Sequence, residues 1–382
     1  MRSKVRSGPI RRGVLVVMAA ALALAACATA EEDPDTTAGE TTEEATEETP
    51  EAPADEDEES ADDRADWPSG LNIGTSSQGT ASYTVGAGLA DVLSGELDIA
   101  GTPMATGFGT NISLVAEGEA QMGMVWPFST LQAIQGEGDF EGVDLPLENI
   151  RLMNAGTFFP GGIVVLADSE YETIEDLEGA RILAERPISP DTTMMVRALL
   201  EGAGLMEGDY ERLSYEGPSD AIPALTQGQA DAFGFLTDPA AAWAVEADEL
   251  HGIRILGLTE EQQQAILPEF PWLSPGVIPE GSLSGQDQDA YTVQDQTLMI
   301  VHADLPDSLV YALLETFVDQ RENLGGYHPT GSEWFDPDSM LNVSGVVPFH
   351  DGAIRYYEDQ GMWTSDHQAD HEEALTRLLE GR

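Results

Sequence analysis

Between residues 72 and 258, short apolar runs alternate with longer stretches whose apolar residues recur every three or four positions. That rhythm is the signature of strands exchanging with amphipathic helices in βαβ units, and it predicts an α/β fold built on parallel sheets. A first strand is expected at 71–73, a helix at 82–93 and a second strand at 97–99. A polar loop at 106–110 leads to a helix that opens at Asn111, and 121–125 returns as a strand. Further strands are expected at 162–167, 180–184, 213–215, 230–236 and 253–258, with helices near 193–202, 219–227 and 239–247. The chain then passes through a strand at 297–301 and a helix at 308–317.

One pattern occurs twice. Gly118-Glu119-Ala120-Gln121-Met122-Gly123-Met124 ends a helix and starts a strand, and Gly228-Gln229-Ala230-Asp231-Ala232-Phe233-Gly234 does the same in the second half. In each, the glycine suits a left-handed residue just past a helix end. A chance recurrence of a common helix-to-strand turn is the alternative. Taken with the polar loops, the echo suggests two similar α/β lobes facing each other, whose ligand would bind beyond the carboxyl ends of the strands.

The N-terminus fixes a compartment. Arg2, Lys4, Arg6, Arg11 and Arg12 precede an apolar run that ends at Leu24-Ala25-Ala26-Cys27, the chain's single cysteine. The run is too short to span a bilayer comfortably, so residues 1–27 read as a signal peptide. Its ending resembles the bacterial lipoprotein signal, in which the cysteine becomes the acylated N-terminus; an ordinary secretory peptide is the alternative. Arg11-Arg12 also permits a twin-arginine export reading. Residues 28–66 hold 18 acids and one base, Arg64. Such a tract buries almost nothing apolar and repels itself, which suits a disordered tether between a membrane surface and a globular body. No later stretch has the length and apolarity of a membrane span.

From Trp67 onward the chain carries 52 acids against 10 arginines and no lysine, within a formal net charge of −54 for the whole protein. So negative a surface excludes nucleic acid and anionic lipid as direct partners. The acids are spread along the chain, a distribution that fits the hydrated surface of a halophilic protein better than a cation-binding cluster. No cofactor or metal is expected. The six histidines lack metal-ligand spacing, and the His367, His371 pair sits among acids on what reads as a solvated helix face. Neither a Ser-His-Asp arrangement nor a Gly-x-Ser-x-Gly elbow is present, so an enzyme is not expected.

The chemistry that remains lies in loops. Gly74-Thr75-Ser76-Ser77-Gln78-Gly79-Thr80 joins the first strand to a helix that begins near Tyr83. A loop of this kind presents free backbone N–H groups at a positive dipole end. It lacks the Gly-Lys-Ser/Thr of a P-loop and the Gly-x-Gly-x-x-Gly of a dinucleotide site, which favours a carboxylate over a nucleotide. A capped turn without a ligand is the plainer account of the loop alone.

These residues also resemble the TAXI-type solute receptors of tripartite (TRAP) transporters. The likeness runs from Ile73-Gly74-Thr75 through Gly79-Thr80 and Tyr83, to Thr106-Gly107-Phe108-Gly109-Thr110-Asn111, then Leu114-Val115-Ala116-Glu117-Gly118. Later come Ile174-Glu175-Asp176-Leu177-Glu178-Gly179, Val347-Pro348-Phe349-His350-Asp351-Gly352-Ala353 and Tyr356-Tyr357-Glu358-Asp359-Gln360-Gly361. The order of these short matches across 71–363 carries the resemblance. It implies a two-lobe periplasmic-binding-protein-like (type II) fold with a hinge. It further implies an extracytoplasmic receptor that closes over a small anionic solute, a carboxylate or an amino acid such as glutamate, and delivers it to a TRAP-type permease. A receptor for an ABC importer or sensor kinase is the alternative, and an extracellular enzyme on the same scaffold a more distant one.

Two departures from the family pattern bear on the solute: Trp126-Pro127-Phe128-Ser129 after the third strand, and 185–193, which contains Arg186, Ser189 and Thr192. Together they make the expected pocket more aromatic and place a guanidinium beside a helix start, and an inward Arg186 would hold a carboxylate bidentately. A surface ion pair is the other reading of Arg186. The candidate binding residues are therefore Thr75, Ser76, Gln78, Gly79, Thr80, Tyr83, Thr106, Asn111, Trp126, Ser129, Arg186, Ser189, Thr192, Phe233 and Asp238, with Cys27 as the lipidation site. One lobe is expected to comprise 67–166 plus 289–382, the other 167–288, with two crossovers as the hinge.

Overall fold

The computed structural model describes residues 64–236, 241–342 and 345–380. The signal peptide, Cys27 and nearly all of the expected tether lie outside the described residues, as does Asp238. Among the described residues no helix is long and apolar enough to cross a membrane.

The first strand, β1 (Gly70–Gly74), pairs in parallel with β2 (Ala100–Met104) and β3 (Met122–Val125). In the second half β5 (Arg181–Glu185) pairs in parallel with β6 (Glu211–Ser214) and β7 (Ala232–Leu236). Two long strands, β4 (Ile150–Leu166) and β10 (Ala290–His302), lie antiparallel between these groups. The sheet thus runs β2-β1-β3-β10-β4-β7-β5-β6, with β8 (Ile253–Leu256) on β4 and β9 (Leu273–Ile278) on β10. The β2-β1-β3 and β6-β5-β7 orders repeat, as the internal echo anticipated. Within each half β1, β2, β3 and β5, β6, β7 pair in parallel; β4, β8, β9 and β10 pair antiparallel and make the sheet mixed.

Helices fill the crossovers. They are α1 (Ala81–Glu96), α2 (Phe108–Ala116), α3 (Pro127–Gln135), α4 (Pro190–Gly202), α5 (Pro218–Thr226) and α6 (Ala242–His251). After them come α7 (Glu260–Ile266), α8 (Asp307–Asp319), α9 (Arg321–Tyr327), α10 (Asp351–Asp359) and α11 (Ser365–Glu380). Local chemistry sets several ends. Thr80 caps α1 by accepting from the Tyr83 N–H at 3.2 Å, and Thr259 and Gln262 form a capping box on α7. Gly118 and Gly228, just past α2 and α5, have φ of 76° and 66°, the left-handed conformation expected of them.

Three local expectations are corrected. Residues 97–99 are not a strand: Asp98 turns left-handed at φ 57°, Ile99 N–H donates back to Leu93 O, and β2 starts only at Ala100. The 106–110 loop is shorter than expected, because α2 begins at Phe108 and places Asn111 inside the helix. The strand expected at 162–167 is the last part of the 17-residue β4. Pro160 lies where β4 leaves β10 and joins β7 and β8, so it removes no donor from a continuous ladder.

Buried side chains form separate cores on either side of this long-strand ribbon. One spans Leu71 to Ala155 and Leu298 to Leu378, with Trp334, Phe317 and Tyr357 at its centre. The others are built from residues between Ile163 and Val293, around Met195, Leu199, Phe233 and Phe235. The result is a mixed α/β protein of two lobes joined through β4 and β10. At roughly 25 cal/mol per Å² of apolar burial, each lobe has its own hydrophobic drive to stay folded.

Candidate functional site

Where the two cores meet, a cavity of about 350 Å³ opens at the carboxyl ends of β2, β3 and β5. The first turns of α2, α3 and α4 all reach it, through Phe108 and Gly109, Trp126 and Ser129, and Ser189 to Asp191. Strand ends and helix starts meet here because each βα connection turns at the same edge of the sheet. Trp126 forms the wall, packed edge-on between Phe108 at 5.1 Å and Phe159 at 5.3 Å. Gln132, Asp139 and Phe140 close the first-lobe side, and Ile188 and Pro190 the second.

The helix starts differ in how their N–H groups are met. Gly107 precedes α2 in extended conformation and supplies no capping side chain, so the positive end of that helix faces the cavity. For α3 the partner comes from the other lobe: Ser129 N–H donates to Asp191 Oδ1 at 2.9 Å and Ser129 Oγ donates to Asp191 Oδ2. Asp191 is 3% exposed, and burial pushes its carboxyl up to about 6, against the pull of the Ser129 hydrogen bonds. Asp295 on β10 is also buried; burial, helped by the Asp191 charge, raises its carboxyl well above the usual range. Among the described residues, Asp139 and Asp191 are the charged residues of the lining, and no basic side chain belongs to it.

Of the residues singled out from the sequence, Trp126, Ser129 and Ser189 line this cavity, and Thr192 is one contact behind, 2.8 Å from the Ser189 hydroxyl. Thr75, Thr106 and Asn111 come together elsewhere, in a knot beneath the wall. Asn111 Nδ2 donates to Thr75 O at 2.8 Å and Met124 O at 2.7 Å, and Thr106 Oγ1 donates to Asn111 Oδ1 at 2.5 Å. Thr75 and Asn111 are fully buried. The knot fixes the ends of β1 and β3 and the start of α2, so it acts on the cavity through position. Ser76, Gln78, Gly79 and Thr80 belong to the β1–α1 turn, where Gln78 and Gly79 are exposed and Thr80 serves as the cap, and Tyr83 is in the first turn of α1.

Arg186 is outside the lining. Its Nε donates to Glu216 O at 3.0 Å and its backbone N–H to Thr193 Oγ1 at 2.9 Å. Phe233 is fully buried among Tyr215, Phe235 and Trp243 in the second-lobe core. Sequence reasoning missed Asp139 and Asp191. Asp191 follows Pro190 at the start of a helix, a position where an acid is ordinarily a local cap, and nothing local marks a partner 62 residues away.

A larger hollow of about 510 Å³ lies against Phe158, Trp272, Gln296 and α11. It is bounded mostly by mid-strand and loop residues, with Pro127 of α3 and Asp366 and His367 in the first turn of α11 as its helix starts, two against the three that meet at the smaller cavity.

Comparison with known proteins places the chain. The NMT1-like family matches residues 73–361. Among solved structures, the chain is similar to the periplasmic aliphatic sulphonate binding protein SsuA from Escherichia coli, with 15% identity, TM-score 0.45, and coverage of 82% of this chain and 88% of that one. It is also similar to a TctC solute binding protein from Polaromonas, with 12% identity, TM-score 0.47, and coverage of 81% and 98%. A third, XAC2383 from Xanthomonas citri bound to ATP, has 11% identity, TM-score 0.48, and coverage of 82% and 98%. Similarity this distant says nothing about the ligand.

Proposed function

The chain belongs to the NMT1-like family, and from that premise we propose that it is an extracytoplasmic solute receptor whose lobes close over a small molecule without altering it. The observation that carries the reading is the cavity between the lobes, ringed by three helix starts and walled by Trp126. We take its lobes as the expected 67–166 plus 289–382, and 167–288, with each limit moved by a few residues so that the crossings, and with them the hinge, fall inside β4 and β10. That assignment is supported by the separation of the cores near residues 155–163 and 293–298. The lipoprotein-like signal and acidic tract would tether the receptor to the membrane through Cys27, and the TAXI-type motif order points to a TRAP-type permease as its partner.

The solute class follows from the lining. A carboxylate has the uncapped N–H groups of α2 to accept from, and needs no arginine. Asp139 and Asp191 offer a counter-charge to an ammonium, and Phe108 and Trp126 offer an aromatic face. A free amino acid supplies both charges at once, and is favoured over a simple dianion, which would meet two aspartates with no cation to balance them.

A thermal-shift panel of amino acids, their amides and their deaminated acids tests this. At a hundred times Kd, a ligand of the folded state adds about 2.7 kcal/mol. Free amino acids are expected to raise Tm and both truncated sets to raise it less. A rise with dicarboxylates alone would overturn the amino-acid reading, and no rise with any solute would overturn the receptor.

A further inference from the structure

We propose that Asp191 is a proton-sensitive latch of the cleft: carried by α4 of one lobe, it docks on the first turn of α3 in the other and holds the cavity shut. The latch needs the receptor reading only for what the cavity encloses.

The geometry is that of an interlobe cap. Ser129 is the third residue of α3, where an N–H has no partner within the helix, and Asp191 supplies one from α4. The Ser129 hydroxyl donates to the second carboxyl oxygen, so the contact is two-pronged. Ser129 is 5% exposed and Asp191 3%, so the pair is out of water only while the lobes are together. Opening the hinge would carry α3 with the first core and α4 with the second, and would return both groups to solvent. The carboxylate occupies the end of α3 much as a solute carboxylate would occupy the open end of α2.

A proton enters because burial disfavours the charged Asp191 carboxyl more than the Ser129 hydrogen bonds favour it, and a second buried acid lies close by. Among the elements packed against α4, β10 contributes Asp295, buried and hydrogen-bonded only to the neighbouring Gln296 N–H at 2.9 Å among the contacts described. The remaining elements leave the pair without a cation. α3 presents Ser129; β7 has no ionisable residue, and the Arg151 of β4 is at its far end. On β5, Arg181 pairs with Asp231 and Glu185 with Arg212; on α7, Glu260 and Glu261 are exposed. Arg186, ahead of α4, is turned to Glu216 O, and Asp139 across the cavity adds a further negative charge. A carboxyl raised to about 6 when shut and near 3.8 when solvated binds its proton more tightly in the closed form. Between those two values closing takes up a proton, so the closed form gains as pH falls from about 6 towards 3.8 and has lost that gain once pH has risen through 6.

Hydrogen exchange at the Ser129 amide reads the latch directly, on the intact protein without solute. With rates normalised to the free-peptide rate at each pH, protection in the wild type is expected to be about tenfold greater at pH 5 than at pH 8. Asp191→Asn keeps an acceptor without the proton equilibrium, so its protection should be the same at both pH values. Asp191→Ala should lose protection at both, with Ser129→Ala, which retains the amide donor, falling between. Melting curves establish that each variant is folded. Equal protection in the wild type and Asp191→Ala would overturn the latch, and a pH response surviving in Asp191→Asn would overturn its proton control. Because no solute is present, either result stands apart from the receptor reading.

Discussion

Asn111 and Asp191 are both buried polar residues that tie distant segments together, yet they do different work. Asn111 donates to two backbone carbonyls, Thr75 O and Met124 O, that no water reaches from the side of the knot. Asn111→Ala removes both donations, leaving Thr75 O only the Thr106 hydroxyl at 3.3 Å, and is expected to lower stability by about 2–4 kcal/mol. Urea unfolding checks this: a lower midpoint at unchanged slope is the expected result. Composition and loop pattern suggested Asn111 as a binding residue, since a polar side chain near a glycine-rich loop looks the same from the sequence whether it meets a solute or a carbonyl. Trp126 was legible because a strand ending in Trp-Pro must turn its ring toward the sheet's edge. Arg186 drew attention as a rare cation beside a helix start, but its Nε is directed to the Glu216 carbonyl. Asp191 escaped notice because its partner is far along the chain.

Among the elements, α4 and α2 both start at the cavity without a side-chain cap from the preceding residue, and the one preceded by a glycine is α2. Its preceding residue, Gly107, is extended at φ −160° and has no atom within 4 Å of an added Cβ, so any side chain fits there. Gly107→Asp should cap the helix and stabilise the fold by about 0.5–1 kcal/mol. The same carboxylate takes the N–H groups assigned to the solute, so solute affinity should fall while Tm rises. Melting and binding assays on one preparation separate these effects; a variant that binds as well as wild type places the solute carboxylate elsewhere. Strand and helix order was readable wherever apolar periodicity ran unbroken, and Gly118 and Gly228 marked their helix ends correctly. Reading failed where a tertiary partner decided the outcome. Residues 150–161 of β4 include Asn154, Gly156 and Pro160 and show no alternation, because both faces are covered and the strand changes partners midway.

For the molecule as a whole, separate cores lie on either side of β4 and β10, and the proposed hinge is in that ribbon. A net charge of −54 makes the surface self-repelling and leaves few cations to hold the lobes together. The interlobe contacts are correspondingly short-range: Ser129 to Asp191, and Phe128 against Trp272 at 5.0 Å between ring centres. The two-lobe α/β plan was legible from the repeated helix-to-strand turn. The charge balance of the cleft was not, because it depends on which few of 70 acids face inward. Calorimetric titration of the amino acid that most raises Tm, into wild type and Trp126→Ala side by side, tests the central claim most directly. The account predicts one solute per chain, bound at least tenfold (about 1.4 kcal/mol) more weakly once the aromatic wall is removed. Equal affinity in the two proteins, or heat from conversion of the solute instead of saturable binding, would contradict it.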